Sequence, residues 1–373
     1  MQNHIYIAGA SSRSRTARVY IEYLNPELKT IAFLVSPEMT DNPDVVDGIP
    51  AQKIENGLDV SLPVYLGTRG ANHPKLETEL RAVGFTDIRP VTMQLDSDLR
   101  NAYLEKWYAG QGREFVRMDM LVEDSVKSVS AESKGISGNK AITFPSAAIY
   151  VSNSIFDGQL KDSYESLSEE KVIQVGTALT EERLSNASCF DDEGENISDR
   201  NKPYCALTGL YWIWKHAGED YVGLVHYRRH FLLPENWVEI CERNDIDVIL
   251  PVPLYVGPSV AENYRTRHIA SDWDFMLSYV KEKLPNEYDD LNRILGGCLY
   301  SPCNMLIARR AVLDDLCKWL FPILFAVVEH GGKKDDKYQA RYPGFLSERL
   351  ITYFFESRRD RYHVVYCNKN FLS

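Results

Sequence analysis

The sequence predicts an α/β protein of two domains. Strand-like and helix-like segments alternate through residues 4–94. A stretch from about Glu123 to Lys140, EDSVKSVSAESKGISGNK, is rich in Ser, Lys, Gly and Glu and holds little to bury. The alternation then restarts at Ala141. At roughly 100–200 residues per domain, 373 residues accommodate this division. The expected organisation is a first domain over residues 1–122, a linker over 123–140 and a second domain over 141–373.

In the first domain HIYIAGA reads as a strand followed by a Gly/Ser turn. RTARVYIEYL has helical apolar spacing at Val19, Ile21 and Leu24, and TIAFLVS is a second strand. LDVSLPVYLGT contains a third strand running into Gly67. HPKLETELRAVGF is a helix that starts at Pro74 and ends at Gly84, where proline and glycine favour those positions. TDIRPVTM closes the series as a strand. Strands alternating with helices imply a parallel sheet covered on both faces. This domain resembles the truncated Rossmann-like, nucleotide-binding-type modules found beside sugar-modifying enzymes. A dinucleotide fingerprint needs G-x-G-x-x-G at the first turn. Here Gly9 stands alone, and the second strand ends in Val35 and Ser36 without a ribose-binding acid. The domain is either a nucleotide site or a scaffold.

In the second domain AAIYVSN and KVIQVGTAL read as strands, and CFDDEGENISDRN as a polar, acidic loop. A helix is expected from Pro203 to His216. Leu207, Leu210, Tyr211 and Trp214 fall at i, i+3, i+4 and i+7, giving it one apolar face. YVGLVH (221–226) and IDVILPV are further strands, and residues 271–285 and 311–328 further helices. WLFPILFAVV (319–328) is the longest apolar stretch. It is about half the ~20 residues of a membrane span, and Pro322 interrupts it, so it reads as a buried helix or a membrane-surface contact.

Composition narrows the function. A formal net charge of -11 disfavours nonspecific nucleic-acid binding, which rests on phosphate neutralisation by Lys and Arg. An anionic ligand must therefore meet a local basic cluster. The seven cysteines include no C-x-x-C pair and no basic, apolar leader is visible, so a cytoplasmic, reducing setting is expected. The 22 tyrosines and 6 tryptophans suit sugar-facing pockets or plain cores.

The strongest local feature is HYRRHF, at the end of strand 221–226. In doubly wound sheets, ligands sit beyond the carboxyl ends of strands. Arginine offers a planar fork of donors suited to phosphate oxygens. Alternation along an extended chain would point His226 and Arg228 one way and Arg229 the other. The alternative is a structural arginine pairing with acidic loop 191–199.

From about Ala148 onward the chain resembles a family of bacterial capsular and exopolysaccharide glycosyltransferases long filed as a domain of unknown function. The carrying residues are ENISDRN (195–201), LTGLYWIWKH (207–216), DYVGLVHYRRHF (220–231), YRTRH (264–268), CNMLIARR (303–310), CKWLFPIL (317–324) and GFLSERL (344–350). The resemblance implies a GT-A-like fold for the second domain. It also implies transfer of a sugar, galactofuranose or galactose, from a UDP-sugar to a growing polysaccharide or lipid-linked saccharide acceptor, with peripheral contact at the inner membrane. One departure is that an acidic residue is expected just before the Leu-Thr of the helix, where this chain has Cys205 and Ala206.

In GT-A enzymes a strand usually ends in an Asp-x-Asp pair that holds a divalent metal, and HYRR occupies that place. Its cations His226, Arg228 and Arg229 would then bind the donor diphosphate directly and stabilise charge developing on the leaving group. Alternatively, Asp191, Asp192, Glu193 and Glu195 offer oxygen ligands for Mg²⁺ or Mn²⁺, or form a solvated loop. Inverting transfer needs a base. Glu348 is the first candidate and Asp272 the second, with Asp274 beside it; an ion pair of Glu348 with Arg349 or Arg341 is the structural alternative. Tyr264 and His268, four apart on a helix, share a face and are candidate substrate contacts, as is Asn304. Two other functions stay open: a nucleotide-sugar-modifying oxidoreductase run by the first domain, and a non-catalytic module binding polysaccharide or partner enzymes.

Overall fold

The computed structural model describes residues 3–122 and 145–373, so the expected linker lies outside the described residues. The chain divides into two compact units, Met1–Phe115 and Val116–Ser373. Residues 116–122, assigned to the first domain on sequence, run with the second. Met118 is buried in its core, and the Tyr366 N–H donates to the Val116 carbonyl at 2.9 Å.

The first unit is a Rossmann-like α/β layer. Its strands are β1 (Asn3–Ala8), β2 (Leu28–Val35), β3 (Val45–Val46), β4 (Ile49–Lys53), β5 (Val64–Leu66) and β6 (Ile88–Pro90). They are ordered β3-β4-β2-β1-β5-β6, parallel except where β3 meets β4. Its helices are α1 (Ser12–Leu24), α2 (His73–Ala82) and α3 (Met93–Ala109). Period-2 alternation in β1 sends Ile5 and Ile7 to a cluster with Ile21 of α1, and Tyr6 and Ala8 to one with Leu76 and Leu80 of α2. The sequence reading missed β3, β4 and α3. Thr92 caps α3 by accepting the Leu95 N–H at 3.1 Å.

The second unit is GT-A-like. Its strands are β7 (Ala147–Asn153), β8 (Glu170–Gln174), β9 (Cys189–Phe190), β10 (Tyr221–His226), β11 (Val248–Pro251), β12 (Leu254–Tyr255), β13 (Leu299–Tyr300), β14 (Leu306–Arg309) and β15 (Val364–Cys367). The main sheet runs β15-β11-β14-β10-β7-β8-β9, with β14 antiparallel to both neighbours; β12 and β13 form a separate ribbon. The helices are α4 (Asn201–Tyr204), α5 (Leu207–His216), α6 (Trp237–Arg243), α7 (Val260–Arg267), α8 (Ala270–Lys283), α9 (Pro285–Leu295), α10 (Arg310–Gly331) and α11 (Tyr342–Glu356).

Two expectations are corrected. The helix expected from Pro203 to His216 breaks into α4 and α5 at Cys205, whose φ of 50° is left-handed. The Cys205 carbonyl accepts from Asn201 Nδ2 at 2.9 Å and from the Thr208 N–H at 3.2 Å, which holds the break. Nor does α5 bury one face alone, since Leu207 through Ile213 are all buried. The helix expected over 311–328 is present as α10, 22 residues long with Pro322 inside it. No helix among the described residues is long and apolar enough to cross a membrane.

Strand β10 is central, between β7 and β14. A Cβ on its Gly223 would lie 2.6 Å from Ile307 Cγ1 and 3.0 Å from the Leu306 carbonyl oxygen. Overpacking of this kind costs about 1–3 kcal/mol. Gly223→Ala is therefore expected to lower unfolding stability by that amount in urea titration; a stability equal to wild type would show the sheet to be more yielding here than its spacing implies.

Candidate active site

Strands β7 and β10 run parallel in register, Ser152 opposite His226, and end at the same edge of the sheet. There the chain folds back at once. The His226 N–H donates to the Arg229 carbonyl at 3.1 Å and the Arg229 N–H to the His226 carbonyl at 2.8 Å. This turn undoes the side-chain alternation expected of an extended segment. His226 and Arg229 both line a cavity of about 300 Å³ beyond the strand ends, and Arg228 does not. The Arg228 guanidinium lies over the Tyr227 ring, 5.1 Å from its centroid, and its Nε is buried without a partner. His230 turns inward, stacked on Tyr164 with centroids 3.9 Å apart and bonded through Nδ1 to Glu170 at 3.0 Å.

Two more cations reach the cavity, Lys202 at α4 and Arg341 just before α11. Among the described residues neither these nor Arg229 forms an ion pair. Arg341 donates from Nε to the Cys205 sulfur at 3.2 Å. Cys205 and Ala206 stand in the wall, so no carboxylate faces the arginines where an acidic residue was expected. The carboxylate that does line the cavity is Asp157, which accepts the Ser154 N–H at 2.8 Å. Protein packed about this carboxyl raises its pKa, against the opposing pull of Ser154 and Arg228, although the residue as a whole is exposed. Phe156 lines the mouth and is 74% exposed.

The acidic loop does not pair with HYRR. Asp191 is fully buried and accepts the Gly176 and Thr177 amides at 2.8 and 3.0 Å, the Thr208 hydroxyl at 2.6 Å, and the hydroxyls of Thr177 and Ser198. Asp192 meets Arg183 at 3.1 Å and Glu195 meets Lys215 at 2.9 Å. These carboxylates are spent on internal contacts and do not fit a Mg²⁺ or Mn²⁺ site. Among the described residues no group of three His, Cys, Asp or Glu side chains converges.

Glu348, on α11, lies behind the cavity wall rather than in it. It accepts the Cys303 N–H at 2.8 Å and pairs with Arg349 at 2.8 Å. The Cys303 carbonyl in turn accepts from His226 Nε2. Burial raises the Glu348 pKa, while Arg349, the Cys303 amide, Arg229 and Arg341 oppose the rise. Cys303 and Asn304 both have left-handed backbone, with φ of 81° and 53°, a costly state for residues other than glycine. The Asn304 side chain is tied to α11, donating to the Gly344 carbonyl at 2.9 Å and accepting from Ser347 at 2.6 Å.

The remaining candidates are not brought to the cavity. Asp272 is buried against Lys334 at 2.8 Å, and Asp274 forms an ion pair with Arg265. Tyr264 is fully buried. It does meet His268, with centroids 4.8 Å apart, but His268 stands just past the end of α7 and stacks on Phe345 at 4.0 Å. Lys202, Arg341, Asp157 and Phe156 were missed. The rule that pointed to HYRR, ligands beyond strand ends, points equally to SIFDG after β7.

Residues 162–359, just over half of the chain, match the family model described as Domain of unknown function (DUF4422). The chain belongs to this family. A search of curated proteins gives no match. Among solved structures the chain is similar to the apo form of WbbM, a bifunctional glycosyltransferase, with TM-score 0.54 and 24% identity over 61% of this chain. The likeness covers 45% of WbbM and speaks for the fold.

Desolvation, with nearby arginines, lowers the pKa of His226 to about 4 and that of His268 to about 4. Both folded values lie below the ordinary 6.5, so the unfolded chain binds more protons between them. Their contribution to stability is complete above about 6.5 and is lost as pH falls toward about 4. Urea midpoints measured across this range should fall with pH, and the slope should shrink in a His226→Gln/His268→Gln double variant. An unchanged slope would show that neither imidazole is held neutral.

Proposed function

We propose that the chain is a glycosyltransferase acting on a nucleotide-activated sugar, with the donor diphosphate held by Arg229, Arg341 and Lys202. The observation that carries this reading is the convergence of these cations, without ion pairs among the described residues, on one cavity at the ends of β7 and β10. A nucleotide sugar brings the charge they lack. Arginine forks suit its phosphate oxygens, and fixed cations stabilise charge gathering on the leaving diphosphate. The nucleoside lies toward Phe156, whose exposed ring offers a stacking face, and Asp157, whose carboxylate accepts from sugar hydroxyls or base N–H groups. Arg228, outside the cavity wall, supports Asp157 through its charge. The family resemblance suggests galactose or galactofuranose carried by UDP. It also suggests a growing capsular or exopolysaccharide chain, or a lipid-linked saccharide, as acceptor at the cytoplasmic face of the membrane.

In the reaction an acceptor hydroxyl attacks the anomeric carbon and the bond from that carbon to the diphosphate oxygen breaks. The electron pair stays on the diphosphate, and the hydroxyl proton passes to a base. We assign the base to Glu348. Burial raises its proton affinity against the pull of Arg349, Arg229 and Arg341, and its carboxyl, 17% exposed, would reach an acceptor proton by turning from Arg349 toward the cavity. The oxidoreductase alternative draws no support from Gly9, where a Cβ would meet Thr68 Cγ2 at 2.4 Å and Ser14 Oγ at 2.5 Å. That glycine serves close packing within the first unit.

The test is UDP binding by calorimetry together with transfer from UDP-sugars. Wild type is expected to bind UDP. Losing one charge-assisted contact costs about 1.5–3 kcal/mol, so Arg229→Ala and Arg341→Ala should each weaken binding by roughly ten- to a hundredfold. Glu348→Gln should keep UDP binding and lose transfer. EDTA should leave UDP binding intact. Absence of UDP binding by wild type would favour a non-catalytic module, and full loss of binding with EDTA would overturn direct recognition by cations.

A further inference from the structure

The two arginines that line the cavity rest against rings and, among the described residues, form no ion pair with a carboxylate. The Arg229 guanidinium lies 5.0 Å from the ring centroid of Phe371, Arg341 lies 5.8 Å from that of Phe345, and Arg228 lies over Tyr227. A carboxylate partner would fix an arginine but cancel the charge a ligand needs. The negative face of an aromatic ring fixes the cation and leaves its charge whole.

For Arg229 the ring is delivered by a segment distant in sequence. Residues 368–373 run antiparallel to residues 228–232. The Leu232 N–H donates to the Asn368 carbonyl at 2.8 Å, the Asn370 N–H to the His230 carbonyl at 3.0 Å and the Leu372 N–H to the Arg228 carbonyl at 2.8 Å. The Asn370 side chain accepts the His230 N–H at 2.8 Å. Beyond them, Ser373 is anchored by its N–H and hydroxyl to Asp162 at 2.7 and 2.6 Å. Held in this ladder, Phe371 remains 60% exposed. Burial of its own apolar surface therefore does little to hold the ring, which the ladder leaves against Arg229.

We propose that residues 368–373 form a strap that aims the Arg229 guanidinium into the cavity, with Phe371 as the positioning residue for diphosphate recognition. The affinity consequence rests on the donor-binding reading above; the positioning of Arg229 does not.

The test uses the full chain with Phe371→Ala, Phe371→Leu and Phe371→Tyr. Leucine keeps apolar bulk without a ring face, and tyrosine keeps the face. UDP affinity, by calorimetry, should fall about two- to fivefold in the alanine and leucine variants, the range of one exposed cation–π contact, and recover in the tyrosine variant. Melting temperatures should match wild type, since the ring is exposed. A second arm needs no ligand: the rate at which phenylglyoxal modifies Arg229, located by mass spectrometry, should rise with alanine and leucine and not with tyrosine. Unchanged Arg229 reactivity in Phe371→Ala overturns the strap whatever UDP does, as does a leucine variant indistinguishable from the tyrosine one. Wild type that fails to bind UDP removes the donor reading, and the reactivity arm then decides the strap alone.

Discussion

Positive charge gathered on one cavity without ion pairs among the described residues is the constraint around which the site is arranged. Side chains of one sign repel, and burying them alone is costly. The fold keeps Lys202 and Arg341 exposed and Arg229 half-buried at the mouth of an open cavity, where water screens them. The acidic loop that might have cancelled them is occupied elsewhere, Asp191 with backbone and hydroxyl donors, Asp192 with Arg183 and Glu195 with Lys215. Ala206, at the wall, adds no charge of its own.

Behind that wall the site is joined to α11 through a short polar relay. His226 reaches the Cys303 carbonyl, the Cys303 amide reaches Glu348, and Glu348 reaches Arg349. The left-handed backbone at Cys303 and Asn304 survives because these bonds, with those of Asn304 to Gly344 and Ser347, hold it from both sides. These bonds tie α11 to the end of β10 through the Cys303 backbone.

Much of this was legible in the sequence because the strands are continuous apolar runs with clear ends. YVGLVH coincides with β10, and the HYRR turn sits at its carboxyl end. Alternation of strands and helices gave the first unit its fold class. What stayed hidden was nonlocal or conformational. Arg341 and Lys202 meet Arg229 across more than a hundred residues and about thirty, a proximity no local pattern encodes. The break before α5 rests on a left-handed cysteine, where punctuation by glycine or proline was the signal sought. Tyr264 and His268 do meet ring to ring, but His268 lies past the end of α7 and Tyr264 is buried. Arg228 and Arg229 adjoin in sequence and part in space, because the chain reverses at once after His226.

The ties at Asp191 have a consequence for how a ligand is met. Each segment they hold adjoins a stretch of wall: Gly176 and Thr177 follow Val175, Ser198 precedes Asn201 and Lys202, and Thr208 follows Cys205 and Ala206. One buried carboxylate thus knots the three together during folding. The entropy of ordering them is already lost before an occupant arrives, so less is forfeited on association. This side of the cavity behaves as a preformed mould, favouring molecules that already fit its contour over those that would have to reshape it.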